Sequence, residues 1–492
     1  MSINQKNRIV TFDNYINGKW VKGKRNEVIE SKNPAHFNEI VGAVQSSSNE
    51  DVDHAVNSAK KALKQWKGTS AVLRGNYLNK AADIMEKRLQ EIAEIATKEM
   101  GKTIGETRGE VLRAATILRY YAQEGMNKVG DVIPSADSKN LLYTTRTPVG
   151  VVGVISPWNF PIAIPIWKIA PALIYGNTIV FKPATETAIT AAKLVEVFDE
   201  AGLPAGVLNL VTGKGSIIGD YFLEHRGINA ISFTGSNNIG KKVATAAINR
   251  GSKFQLEMGG KNPAIVLEDA DLEVAAELVV NGAMKHTGQK CTATSKVFVQ
   301  ESIYEEFKSR VVNKLKAIKV GDGLEEGVYM GPLSSKNQQE NVLRYIEQGK
   351  LEGAALSFGG GIPIGEQFET GYYVEPTLFE NVTNEMTIAR EEIFGPVLCL
   401  IKIDNYEEAI RQANDTEFGL SAALFTRDMA RSLDFINQIE VGMVKVNGET
   451  AGVEPQAPFG GMKQSSSHSR EQGKAAIEFF TSIKTVTITP TP

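Results

Sequence analysis

Apolar and polar positions change period along the chain, and those changes divide it. From Val52, apolar residues recur at Ala55, Val56, Ala59, Leu63 and Trp66, the one-face spacing of an amphipathic helix. Ser48 and Asp51 stand three residues apart just before this run and form a capping box with Asp in place of the usual Glu. Helical pattern continues over roughly 71–101 and 105–125, so the first third reads as helical. The middle alternates short β-branched runs at 151–155, 178–181, 207–211 and 228–233 with helical pattern near 187–201, 216–224 and 238–250. Continuous apolar strands separated by helices predict a parallel sheet covered on both faces. A second series, strand 263–267, helix 272–286 and strand 296–300, predicts a second α/β domain with a boundary near 257–261.

Two alternating segments, 141–147 and 485–489, belong to neither series. Strands without a home sheet are often edges that pair with another subunit. The competing reading is a local hairpin and a frayed tail.

Composition narrows the function. A chain of 492 residues predicts two or three domains. Its 54 Lys and Arg against 57 Asp and Glu leave a net charge of −3, no footprint for nucleic acid or an anionic membrane. Residues 1–10 lack the apolar run of a signal peptide. The longest apolar region, 149–181, is broken by four prolines and Lys168, so it reads as buried strand, loop and helix, not a membrane span. Two cysteines and five scattered histidines argue against a disulfide framework and a metal site. The expectation is a cytoplasmic, metal-free protein whose sulfur chemistry rests on Cys291 or Cys399.

Several segments can carry chemistry. Phe233-Thr234-Gly235-Ser236 closes a strand and opens a helix, with Gly240 and Lys241 following. Glycines there let backbone approach a phosphate at a helix N-terminus. Lys242 stands where a P-loop needs Ser or Thr for magnesium, and the spacing also misses the Gly-x-Gly-x-x-Gly fingerprint. Cys291 follows Gly288, which permits a sharp turn, and Lys290, which would favour thiolate if its side chain points inward. Cys399 lies in an apolar strand and reads as core. Glu257, beside Gly259 and Gly260, can activate water, although a lone loop Glu is commonly a solvated charge. Pro157-Trp158-Asn159-Phe160-Pro161 follows a strand end, where α/β sheets bind ligands, and the Asn159 amide can donate to an oxyanion.

Together these segments resemble the aldehyde dehydrogenase superfamily. The matching pieces are 157–161, Lys182-Pro183-Ala184, 233–236, 257–261, 288–291, Glu391-Glu392-Ile393-Phe394-Gly395-Pro396-Val397 and Pro458-Phe459-Gly460-Gly461, in the family's order and spacing. The resemblance implies an α/β fold with two doubly wound parallel-sheet domains and a small β oligomerisation domain. It assigns 8–130 and 150–259 to NAD(P) binding, 260–462 to catalysis, and 131–149 with 475–492 to oligomerisation. It implies Cys291 as nucleophile, Glu257 as base and Asn159 with the Cys291 N–H as oxyanion donors. Ile155, Pro157, Trp158, Lys182, Thr185, Gly215, Phe233, Gly235, Ser236, Glu392 and Phe394 would contact the cofactor. Phe160, Trp167, Lys285 and Phe459 would line the substrate tunnel, and Glu471 would relay protons.

Where NAD-preferring members often carry Glu, this chain has Thr185, so acceptance of NADP as well as NAD is expected, with NADP slightly favoured. Segments 284–291 and 459–473 resemble the branch that oxidises 2-oxoglutarate semialdehyde (2,5-dioxopentanoate). Lys285, six residues before Cys291, suits a carboxylated aldehyde, or else its charge reaches solvent. Position 167, Arg in many succinate semialdehyde dehydrogenases, is Trp here. The partners expected are a small aldehyde and further copies of the chain, as a homodimer or homotetramer. Alternatives are another semialdehyde or an aromatic aldehyde as substrate, a CoA-acylating enzyme, which would not need Glu257, and a non-catalytic scaffold, which would be expected to lose Cys291 or Glu257.

Overall fold

The computed structural model describes residues 9–491 and the backbone of Ser2–Ile3; the reading of residues 1–10 falls largely outside these, as do the first residue of the 8–130 range and the last of 475–492. Local signals built the helices as anticipated in most places. Ser48 and Asp51 form the reciprocal capping box that starts helix Asn49–Gly68, which buries Val52, Ala55, Val56, Ala59 and Trp66. The stretch 71–101 is two helices, Ala71–Lys87 and Leu89–Met100, broken at Arg88. Arg88 leaves helical geometry at φ −95° and ψ 15°, and its guanidinium pairs with Glu91 at 2.9 Å and Glu196 at 2.5 Å.

The first third is not only helical. Strands Val10–Phe12, Asn14–Ile16, Lys19–Val21, Val28–Asn33 and His36–Gln45 precede the first helix. Asn17 and Gly18 turn Asn14–Ile16 back onto Lys19–Val21 with φ of 53° and 74°, the two positive values a tight hairpin turn requires.

Seven strands form the first large sheet, in the order Lys253–Glu257, Ala230–Thr234, Val151–Ile155, Thr178–Lys182, Leu208–Leu210, Asn14–Ile16, Lys19–Val21. The first five are parallel, and the N-terminal hairpin extends the sheet antiparallel. The chain leaves Val151–Ile155 in both directions, so the loop after Ile155 sits at the switch point where such sheets bind ligands. The second seven-stranded sheet runs Ala355–Phe358, Thr377–Glu380, Val397–Ile403, Thr294–Gln300, Asn262–Val266, Ser421–Phe425, Met443–Val446. All its pairings are parallel except that of Ala355–Phe358. Helices cover both sheets and each domain has its own apolar core.

The two strands without a home sheet pair with each other. Thr481–Ile488 lies antiparallel to Leu141–Pro148 over eight residues, and Val132–Ile133 adds a third strand. The long-range partnership excludes a frayed tail, while Val132–Ile133 with Leu141–Pro148 does form the local hairpin of the competing reading. Among the described residues no helix is long and apolar enough to cross a membrane.

Candidate active site

Strand register gathers the first group of residues. Ile155 lies opposite Lys182 on one side and Phe233 on the other, and Phe233 opposes Leu256. The carboxyl ends of four neighbouring strands therefore share one rim. The loop from Ile155 and the loop from Thr234 line an open crevice of about 320 Å³ with Pro157, Trp158, Asn159, Gly235, Ser236, Cys291, Glu392 and Phe394. Lys182, Thr185 and Gly215 stand outside that lining, on the same rim at and beyond the ends of the next two strands, Thr178–Lys182 and Leu208–Leu210.

The thiol is held from the second domain. Helix Leu272–Met284 ends, and His286, Thr287 and Gly288 all take positive φ. A Cβ at Gly288 would lie 2.1 Å from the Gly395 carbonyl oxygen, so only glycine lets this turn pack on the Glu392 loop. Cys291 emerges partly exposed, while Cys399 is fully buried in its strand. Asn262 Nδ2 donates to the Cys291 carbonyl at 2.8 Å and to the Ala293 carbonyl at 2.9 Å. Asn159 Nδ2 donates to the Gln289 carbonyl at 3.0 Å, which sets its amide beside the cysteine turn.

Burial, Glu392 and Glu257 push the Cys291 thiol up to about 12, and the backbone N–H groups of Cys291 and Thr292 pull back. The Lys290 ammonium lies within electrostatic reach of Cys291 but donates to the Asn281 carbonyl at 3.4 Å, and burial lowers it to about 8.

Glu257 and Glu392 both lie close enough to raise the thiol, for different purposes. Glu392 accepts the Gly260 N–H at 3.1 Å, and burial raises its carboxyl to about 7. Glu257 is buried; Ser466 donates its hydroxyl to Oε2 at 2.5 Å, and Oε1 has no partner. Burial and the neighbouring Glu471 hold the Glu257 carboxyl well above the usual carboxylate range, opposed by Ser466, Lys168 and Arg470. Glu471 pairs in turn with Lys168, which also donates to Ser232 at 3.0 Å. Lys168 entered the sequence reading only as an interruption of an apolar region. A lone lysine on helix Ala163–Ile174, whose every residue is buried, was the available signal, since such a charge needs a partner.

Trp167 and Phe459 face each other with ring centroids 5.2 Å apart, and Phe160 packs on His286 at 4.9 Å. Lys285 is 42% exposed and lies 3.7 Å from Glu449, which partly offsets its charge.

The rim fits a dinucleotide. Ser236 caps helix Asn237–Asn249 without a side-chain bond, leaving its first N–H groups open to an anion. The Thr234 hydroxyl is buried without a partner, and the space beside Gly215 is open.

Comparison with known proteins agrees with this geometry. The sequence profile of the aldehyde dehydrogenase family matches residues 20–486. The chain is 60% identical over 480 residues to an alpha-ketoglutaric semialdehyde dehydrogenase of Bacillus subtilis, covering 98% of each. It is 43% identical to a 2,5-dioxopentanoate dehydrogenase of Saccharolobus solfataricus, covering 95% of this chain and 97% of that one. Among solved structures, a betaine aldehyde dehydrogenase of Staphylococcus aureus in complex with NAD+ superposes with a TM-score of 0.95 at 33% identity, covering 98% of this chain and 95% of that one.

Proposed function

The chain belongs to the aldehyde dehydrogenase family, and on that premise we propose that its substrate is 2-oxoglutarate semialdehyde, oxidised to 2-oxoglutarate. Oxidation of an aldehyde to a carboxylate with a nicotinamide dinucleotide is the family's reaction and this enzyme's. The observation that carries the site assignment is the meeting of the Cys291 thiol, the Asn159 amide and Glu392 on one crevice, with Glu257 buried behind the thiol. The substrate follows from the extent of similarity to the Bacillus subtilis relative.

Cys291 attacks the aldehyde carbon as thiolate, forming a thiohemiacetal. The Asn159 amide and the Cys291 backbone N–H take the oxyanion as charge develops on it. The dinucleotide, when bound, supplies the hydride acceptor that converts the thiohemiacetal into a thioester. Gly235 and Ser236 would hold its phosphates, with Phe233 and Gly215 beside them. Lys182 and Glu392 would hold the two riboses, and Ile155, Pro157, Trp158 and Phe394 would bound the site. Glu257 then removes a proton from the water that hydrolyses the thioester, and burial beside Glu471 raises the proton affinity of its carboxyl. Glu471, tied to Lys168, sits next along the buried path and passes that proton on. Phe160, Trp167 and Phe459 form the apolar walls around the aldehyde, and Lys285 stands at the mouth.

NADP should be accepted alongside NAD. Thr185 carries no charge, and its hydroxyl donates to the Gly213 carbonyl at 3.3 Å, while Lys182 has only the Pro183 carbonyl at 3.2 Å. A 2′-phosphate would therefore meet a cation and a hydroxyl at that position, with the exposed Glu186 as the opposing charge. The three-stranded sheet, with Val132, Leu141, Ile483 and Ile488 exposed, is the surface for self-association into a homodimer or homotetramer. Sedimentation velocity tests that directly, and a monomer at micromolar concentration contradicts it.

Glu257→Gln should give a burst of one reduced cofactor per site followed by turnover slowed about 100-fold or more, with a thioester on Cys291 visible in the intact mass. Undiminished steady-state turnover would remove Glu257 from the mechanism. In the wild-type enzyme kcat/KM with NADP should equal or exceed that with NAD, and Thr185→Glu should shift the ratio toward NAD by about tenfold, or 1.4 kcal/mol. A strong NAD preference in the wild type sinks the cofactor reading.

A further inference from the structure

Arg113 lies in the middle of helix Ile104–Glu124, partly buried, and the reaction as described leaves it without a task. Its guanidinium donates to the Val453 carbonyl and, at 3.4 Å, to Gln472 Oε1. Two neutral oxygens are poor compensation for a desolvated cation. The carboxylates that act on it are Glu454, which is exposed, and Glu110, which Lys102 already holds at 2.6 Å. Burial accordingly disfavours its charge.

The surroundings say what would complete it. Val453 packs in the same apolar cluster as Phe459, Leu420 and the Cys291 side chain. Phe459 faces Trp167, whose indole N–H is buried with no acceptor. Gln472 is fully buried, and its amide Nε2 also lacks an acceptor while its Oε1 serves Arg113. Around the aromatic wall beside the thiol there are thus a cation and two unmatched N–H donors. A ligand bearing several acceptor oxygens and a negative charge is the kind that would supply what these groups lack. A neutral alkyl or aromatic aldehyde satisfies none.

We propose that Arg113, with the indole of Trp167 and the amide of Gln472, forms the subsite that takes the 2-oxocarboxylate end of the substrate. This deepens the proposed function and rests on its reading of a carboxylated aldehyde. A carboxylate offers the guanidinium a charge-assisted, bidentate partner, and the adjacent keto oxygen offers an acceptor to a neighbouring N–H. Lys285, offset by Glu449 and half in solvent, contributes long-range attraction at the mouth and not the anchoring contact.

The test compares kcat/KM for 2-oxoglutarate semialdehyde with that for pentanal, a neutral aldehyde of the same chain length, in wild type, Arg113→Met, Arg113→Lys and Lys285→Ala. Arg113→Met should lower the charged-to-neutral ratio at least about 30-fold, mainly through KM, and raise the inhibition constant of glutarate in parallel. Arg113→Lys should restore part of the ratio, because a point charge replaces the fork. Lys285→Ala should shift it less than about threefold. Equal losses on both aldehydes in Arg113→Met would mean a purely structural arginine and overturn the proposal, as would a larger ratio change in Lys285→Ala. A wild-type enzyme that prefers pentanal would instead overturn the substrate reading itself, and an unchanged glutarate constant in Arg113→Met would overturn the subsite.

Discussion

Four residues, Met258 to Lys261, join the edge strand of the first sheet to an interior strand of the second. Glu257 and Asn262 are five residues apart in sequence and, even fully extended, at most about 18 Å apart in space, so they cannot lie far apart however the domains are arranged. Asn262 grips the carbonyl of Cys291, and the connection therefore ties the base to the nucleophile. The two glycines inside it do the rest. A Cβ at Gly259 would lie 2.0 Å from Glu392 Oε2, and one at Gly260 would lie 3.0 Å from the Cys291 carbonyl oxygen. Three chemical groups drawn from two domains approach one another because this stretch of backbone has no side chains in the way.

The same closeness creates an electrostatic problem. Glu257, Glu471 and Glu392 all lie in desolvated surroundings around a thiol. Lys168 resolves part of it by pairing with Glu471; removing one member of such a buried pair leaves an uncompensated charge at a cost of about 3–5 kcal/mol. The remainder appears as raised proton affinity of Glu257, Glu392 and Cys291. For Glu257 that is useful, since a higher proton affinity makes a carboxylate a stronger base. For Cys291 it means that thiolate grows with pH across the whole neutral range.

Much of this was legible in the sequence. Alternation of strand and helix pattern located both parallel sheets, and the Ser48 cap placed the first helix. The motif segments contain the residues that gather on the crevice, because short-range glycine and proline chemistry shapes those loops. Other features depend on contacts that no local pattern encodes. The break at Arg88 is held by Glu196, far along the chain. The direction of Lys290 is set by the helix end that its turn packs against. Arg113 looks like any surface arginine on an amphipathic helix until Val453 and Gln472 fold over it. The Asn17-Gly18 hairpin was readable from its turn residues alone, but its two flanking runs are only three residues each.

The most direct test of the connection as the organising constraint is Gly259→Ala. A methyl group there forces the Glu392 carboxylate away while leaving the cysteine turn and its Asn262 contacts intact. The account predicts that affinity for NADP, measured by fluorescence titration, weakens by about tenfold or more, while iodoacetamide alkylates Cys291 in the cofactor-free protein at the wild-type rate. Unchanged cofactor affinity, or loss of both cofactor binding and Cys291 reactivity through a general collapse of the site, would contradict it.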